Sequence, residues 1–217
     1  MSPASGPTQV DRLTKDLRSR VLSGDLPPGH RLREEALAGE YGLARHTVRA
    51  ALRALAAQRL AVVEPHRGAR VAALDASALR DLFELRAALE VEAARLLAER
   101  RGLDPWPGEV VDAAAALDAA CAATDPDRAA VDAAHAALHH ALVAAAGSPR
   151  ITAAHSGLEL ESRLALVQSR RTLPVDRMAV IHRDLLDRLR TDGPEALRRH
   201  LHEGAELAGG RPAGSAS

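Results

Sequence analysis

The sequence predicts a mainly α protein in which a short helix–helix–hairpin module precedes an antiparallel bundle of helices. Three observations carry this. Ala, Leu and Arg dominate, while the aromatics are only Tyr41, Phe83 and Trp106; β-sandwich cores draw on more aromatic and β-branched side chains. Apolar residues recur at helical spacing through most of the chain. Runs rich in β-branched residues occur in one place, around a Pro/Gly turn. At 47% hydrophobic and 27% charged residues the chain can bury a core, which excludes a disordered polymer.

Taken in order, residues 1–8 are rich in Ser, Pro and Gly and are expected to be disordered. Val10, Leu13, Leu17 and Val21 form the stripe of a first helix, and GDLPPG (24–29) ends it. A short helix is expected over Glu34 to Tyr41, with Gly42 just past its end. A second follows over Arg45 to Gln58, with Val48, Leu52 and Leu55 inward. LAVVE (60–64), PHRG (65–68) and ARVAAL (69–74) read as a hairpin, closing a first domain over 9–74. Beyond Ala76 the strand signals stop. Leu79, Leu82, Phe83, Leu85, Leu89 and Ala93 trace a long helix. Gly, Pro and Thr breaks divide the rest into about six helical stretches, an economical antiparallel bundle over 75–208. Residues 209–217 are a low-complexity tail.

The net charge of zero hides a division. Residues 1–74 hold 12 Lys/Arg against 7 Asp/Glu, a net of +5, and residues 75–217 hold 17 against 22, a net of −5. A basic head on an acidic body suits a polyanionic partner, and a charged solvated face has the same composition. No apolar run approaches the ~20 residues of a membrane span, so no membrane partner is expected. The opening MSPASGPTQ carries no secretory pattern and Cys121 stands alone; both fit a reducing, cytoplasmic setting.

Two helices joined by a tight turn and followed by a hairpin describe a winged helix-turn-helix. Its second helix enters the major groove with its N-terminal residues at the base edges. Here these are Arg45, His46, Thr47 and Arg49. Arginine binds guanine through two parallel hydrogen bonds, and threonine meets a base or a phosphate. The wing tip, His66-Arg67-Gly68, is short and basic, with a glycine that admits a phosphate. A helical hairpin with a solvated Arg face is the plainer alternative.

The second cluster is imidazole. Of 10 histidines, seven lie between His135 and His202. His135 and His139 are four apart, hence on one helix face and able to share a metal. His182 and His200 sit on later helices, and side chains on facing helices converge in a bundle core. Ordinary surface or hydrogen-bonded histidines are the alternative for each alone.

Two resemblances sharpen these readings. The stretch PPGHRLREEALAGEYGLARHTVRAALRALAAQRLAVVEPHRGARVA (27–72) resembles the DNA-binding domain of the GntR family of bacterial transcription regulators. It implies a double-stranded DNA operator, with Arg45, Thr47 and Arg49 reading bases or phosphates and Arg67 and Gly68 serving the wing. Ala44 replaces the family's usual Ser, and Glu35 stands where an Arg often meets DNA, although Arg33 is close.

LFELRAALEVEAARLLAER (82–100), HAALHHALVAAAGSPRI (135–151) and the segment from Met178 to Leu201 resemble the FadR-type effector domain called FCD. Counting back from Gly147 puts the family's metal-binding His at His139 and its Asp at His135, while Ser148 replaces an Asn. His182 and His200 match the remaining ligands, but the spacing between them is shortened, so His202 rivals His200. The resemblance implies a divalent metal. An all-imidazole set favours zinc or nickel over magnesium or calcium, and leaves the full metal charge for an anionic effector.

Arg86 aligns with an Arg that meets an effector carboxylate, and Ser148 is counted beside it; an i, i+4 pair with Glu90 is the alternative for Arg86. Asp132, one turn before His135, is placed either to accept the imidazole's second N–H or to be a solvated surface residue.

The expected function is therefore a regulator rather than an enzyme: a homodimer on a palindromic operator, responsive to a small organic acid through an effector-binding bundle. A DNA-binding dimer without metal or effector is the first alternative. A metal-dependent hydrolase is the remote one, since the sequence holds no HExxH and no GxSxG.

Overall fold

A computed structural model describes residues 6–64, 68–170 and 172–209. The chain forms two compact units, Met1–Ala73 and Leu74–Ser217.

The first unit opens on α1 (Gln9–Ser23). Thr8 and Asp11 form a reciprocal capping box at its start, and Gly24, at φ 94°, closes it. Thr8 was expected to lie in a disordered lead, but its side chain accepts the Asp11 N–H in the first helical turn; residues 1–5 of that lead lie outside the described residues. Leu13, Leu17 and Val21 are buried, as their spacing predicts. β1 (Arg31–Leu32) precedes α2 (Glu34–Tyr41) and α3 (Arg45–Ala57). Gly42 ends α2 in the left-handed region, and Val48, Leu52 and Leu55 turn inward from α3 against α1. β2 (Ala61–Glu64) and β3 (Gly68–Val71) form the hairpin.

The sheet has three strands in the order β1-β3-β2, both pairings antiparallel, rather than the two expected. Arg31 and Leu32 pair with Arg70 and Ala69. A two-residue strand is too short to show alternation. The hairpin is also shorter than predicted, because Ala72 to Leu74 leave the ladder after Val71.

The second unit is helical among the described residues: α4 (Ala76–Arg101), α5 (Gly108–Ala122), α6 (Arg128–Ala145), α7 (Pro149–Ser156), α8 (Glu159–Ser169), α9 (Val175–Asp192) and α10 (Pro194–Ala208). Asp75 caps α4 and Asp127 caps α6 through their side chains. Helix α6 packs against α4 and α5, and α10 against α4 and α9. Leu97, Leu117, Leu138, Met178, Leu189 and Leu197 fill the shared core. Seven helices replace the six expected stretches, because 149–169 breaks at Gly157-Leu158. Both residues keep right-handed dihedrals and no proline marks the place, so periodicity gave no warning.

Candidate nucleic-acid interface and metal centre

In the first unit, α2, α3 and the wing strands frame an open groove lined by Arg33, Glu34, Glu35, Arg45, Arg49, Arg53, Val63, Glu64 and Gly68. Four of the predicted contacts, Arg33, Arg45, Arg49 and Gly68, thus meet on one surface. His46 is exposed but outside the groove lining. Thr47, expected among the contacts, is 7% exposed and lies on the inward side of α3 beside Val48. His66 and Arg67 lie outside the described residues. Ala44 caps α3 without a side-chain hydrogen bond, as its missing hydroxyl requires.

The arginines do not stand alone. Arg49 grips Glu34 through Nε and Nη2 at 2.9 and 2.8 Å, and Arg45 bonds Glu35 at 2.5 Å. The Arg49 hydrogen bond holds the Glu34 carboxyl below its ordinary value. The sequence marked Glu35 as a departure; Glu34 as a partner of Arg49 was missed, although it opens α2 directly before Glu35.

In the second unit, His135 and His139 from α6, His182 from α9 and His200 from α10 bring one nitrogen each within 4.8 Å of one another. His202, the rival of His200, is exposed and outside this group. Two of the four rings have their tautomers fixed by neighbours. His139 Nδ1 lies 2.7 Å from Glu90 Oε2, and His182 Nδ1 lies 2.7 Å from the Met178 carbonyl oxygen. Both acceptors require Nδ1 to carry the proton. The Nε2 atoms of His139 and His182 then face each other as bare lone pairs at 3.3 Å. Nitrogens sharing a tetrahedral metal at Zn–N of about 2.0–2.1 Å stand about 3.3 Å apart. Four nitrogen donors fit a borderline ion such as zinc or nickel.

The electrostatics agree. Burial, then the charge of neighbouring histidines, pushes His135 and His200 well below the usual imidazole range, and burial with His139 takes His182 down to about 3. Burial also lowers His139, against the opposing pull of Glu90. Neutral imidazole is the form that ligates a metal.

Glu90 is the residue that sequence reasoning undervalued. It is 1% exposed and accepts from Arg86 Nε at 2.7 Å, faces His139 Nδ1, and lies 3.2 Å from His155 Nε2. Burial opposes its ionisation, but Arg86 and His139 outweigh that and hold its carboxyl well below the ordinary value. One signal was legible: Leu79, Leu82, Arg86, Glu90, Ala93 and Leu97 share the buried stripe of α4, so a charged pair on an apolar face announced burial.

Asp132 corrects another expectation. It is buried, and its oxygens accept from Arg128 Nε at 3.0 Å and Arg170 Nη2 at 2.9 Å. Two guanidiniums thus occupy it, while His135 Nδ1 has no hydrogen-bond partner among the described residues.

A cavity of about 600 Å³, part of it open to solvent, adjoins the four rings. Arg86 reaches it, with its guanidinium carbon 5.2 Å from the centre of the Phe83 ring. Phe83 in turn lies against Gly204, where a Cβ would come within 3.0 Å of the ring. Ser148 is outside this lining. It sits at the N-cap of α7, beyond the end of α6 at Ala145.

Comparison with known proteins places these features. Residues 9–71 match the family described as bacterial regulatory proteins, gntR family, and residues 81–205 match the FCD domain. The HTH-type transcriptional repressor GlaR of Escherichia coli K12 is 33% identical over 160 residues, 72% of each chain. A repressor ascribed to a D-xylose utilization operon in Paenarthrobacter nicotinovorans is 31% identical over 193 residues, covering 83% of this chain and 80% of that one. A solved structure of a GntR transcriptional regulator from Rhodococcus sp. RHA1 superposes with a TM-score of 0.71 at 25% identity, covering 96% of this chain and 99% of the other.

Proposed function

The chain belongs to the GntR family of bacterial regulatory proteins, carries an FCD domain and is a DNA-binding transcription regulator, not an enzyme; from that premise we propose that it is a metal-dependent repressor released or engaged by a small carboxylate. Repression is the role named for its relatives in Escherichia coli and Paenarthrobacter nicotinovorans.

The observation that carries the metal reading is the pair of Nε2 lone pairs held face to face at 3.3 Å by Glu90 and Met178. Two such lone pairs repel unless a cation stands between them. His135 and His200 complete a four-nitrogen donor set, which favours zinc or nickel. When bound, the metal would supply a positive charge, and an ion that expands beyond four ligands would also offer a position for a carboxylate. The chain's own residues do the rest. Glu90 and the Met178 carbonyl orient the rings, and Arg86 offers a guanidinium at the cavity wall.

On DNA, Arg33, Arg45 and Arg49 face the duplex from one groove, and Gly68 lets the wing backbone approach a phosphate. A homodimer places two such heads on a palindromic operator. An effector acts by binding one arrangement of the heads more tightly than the other.

Metal analysis of protein purified without chelator tests the reading: roughly one ion per chain is expected. His139→Ala and His182→Ala should lose the ion with the helical signal retained. A wild-type chain that takes up neither zinc nor nickel would sink the metal-dependent reading and leave a simple DNA-binding dimer.

A further inference from the structure

The cavity beside the four histidines is chemically lopsided. Its histidine end carries nitrogen donors and the Arg86 guanidinium. Apolar residues, among them Phe83, Leu166, Leu173, Ile181, Leu201 and Leu207, make up most of the remaining wall. The polar exceptions are Ser162, Ser169 and Glu203. Ser169 donates its hydroxyl to the Leu166 carbonyl, and Glu203 brings a carboxylate. Among the described lining residues Arg86 is the one permanent cation, and Glu90 already holds its Nε.

Resting on the effector reading above, we propose that this cavity takes a carboxylate with a single acid group on a short apolar chain, and discriminates against diacids and sugar acids. The acid group goes to the histidine end, where the Arg86 guanidinium edge not used by Glu90 can bond it. The alkyl chain then lies along the aliphatic wall, and each methylene withdrawn from water tightens binding about fourfold. A second carboxylate would meet apolar side chains, with no further cation among the described lining residues to receive it, and would approach Glu203. The hydroxyls of a sugar acid would lose water against the same wall, where Ser162 and Ser169 are the hydroxyl-bearing side chains on offer.

The test is calorimetric titration of the full-length protein loaded with zinc, using propionate, butyrate and pentanoate, then glutarate and gluconate. Affinity should climb along the first three, and pentanoate should bind at least about tenfold tighter than glutarate or gluconate. Glu203→Gln should narrow the gap between pentanoate and glutarate. Glutarate or gluconate binding as tightly as pentanoate, with zinc retained, overturns this inference and leaves the effector reading standing. Retained zinc with no heat from any of the five overturns both. Failure to hold zinc at all removes the metal reading first, and this inference with it.

Discussion

Replacing Glu90 with Gln tests the buried network with little change of shape. In the native protein both carboxylate oxygens are engaged: Oε1 by Arg86 Nε and Oε2 by His139 Nδ1, each at 2.7 Å. A carboxamide can accept through its single oxygen and presents N–H groups at the other end. If the oxygen stays with Arg86, the amide faces His139 Nδ1 and favours the tautomer whose Nε2 carries the proton. That proton then points at His182 Nε2, where the lone pair is needed. Loss of such an orienting partner costs about 10–100-fold in metal affinity.

The charge is lost as well. Arg86 and Glu90 side chains are 5% and 1% exposed, so solvent cannot replace the missing partner. Removing one member of a buried pair costs about 3–5 kcal/mol, and for a chain of this size each kcal/mol lowers Tm by about 2–4 °C. Zinc affinity against a competing chelator and melting of the metal-free protein should therefore both fall. Glu92→Gln, whose carboxylate pairs with Arg95 at an exposed site, should change neither. A Glu90→Gln protein with native zinc affinity and native melting would refute the reasoning.

Leu55 is fully buried against α1, so Leu55→Ala should destabilise the first unit by about 2–5 kcal/mol in urea unfolding; a change below about 1 kcal/mol would contradict that packing. Glu34→Gln frees Arg49 and removes a negative charge from the groove. Affinity for random-sequence duplex should rise, and the slope of log K against log salt should steepen by about 0.9 if Arg49 takes up one phosphate; unchanged non-specific binding would show that the pair does not restrain Arg49. In chelated protein, His182 has its folded value lowered from 6.5 to about 3, so its neutral form contributes stability in full above pH 6.5. That contribution is lost as pH falls from 6.5 towards 3, at about 1.4 kcal/mol per unit; a flat urea midpoint between pH 7.5 and 5 would exclude the burial argument. His135→Asp replaces an imidazole with a hard oxygen donor, and should move metal competition away from zinc towards manganese; an unaltered preference would place His135 outside the coordinating set.

The helices and the histidines were legible for the same reason: each was announced by spacing along one chain segment. Leu13, Leu17 and Val21, or His135 and His139, declare a shared face through local geometry alone. What stayed hidden depends on distant segments. Glu90 meets His139 across 49 positions, and Asp132 meets Arg170 across 38. No local pattern says which of two acidic residues near an imidazole will reach it, and proximity in sequence favoured Asp132. Thr47 shows a finer limit. The recognition helix was placed correctly, yet one residue's rotation about its axis separates exposed His46 from buried Thr47. The strand at Arg31–Leu32 exists because β3 offers it a partner, a cause lying 37 to 39 positions downstream.

Gly204 gives the fold an evolutionary handle. Its missing side chain is what lets the Phe83 ring rest against α10, since one added carbon would crowd the ring at 3.0 Å. A mutation there would displace the aromatic wall and reshape the chamber while leaving the imidazoles and the DNA-facing head chemically untouched. On the effector reading proposed above, a single codon change could thereby alter which small molecule the chamber admits.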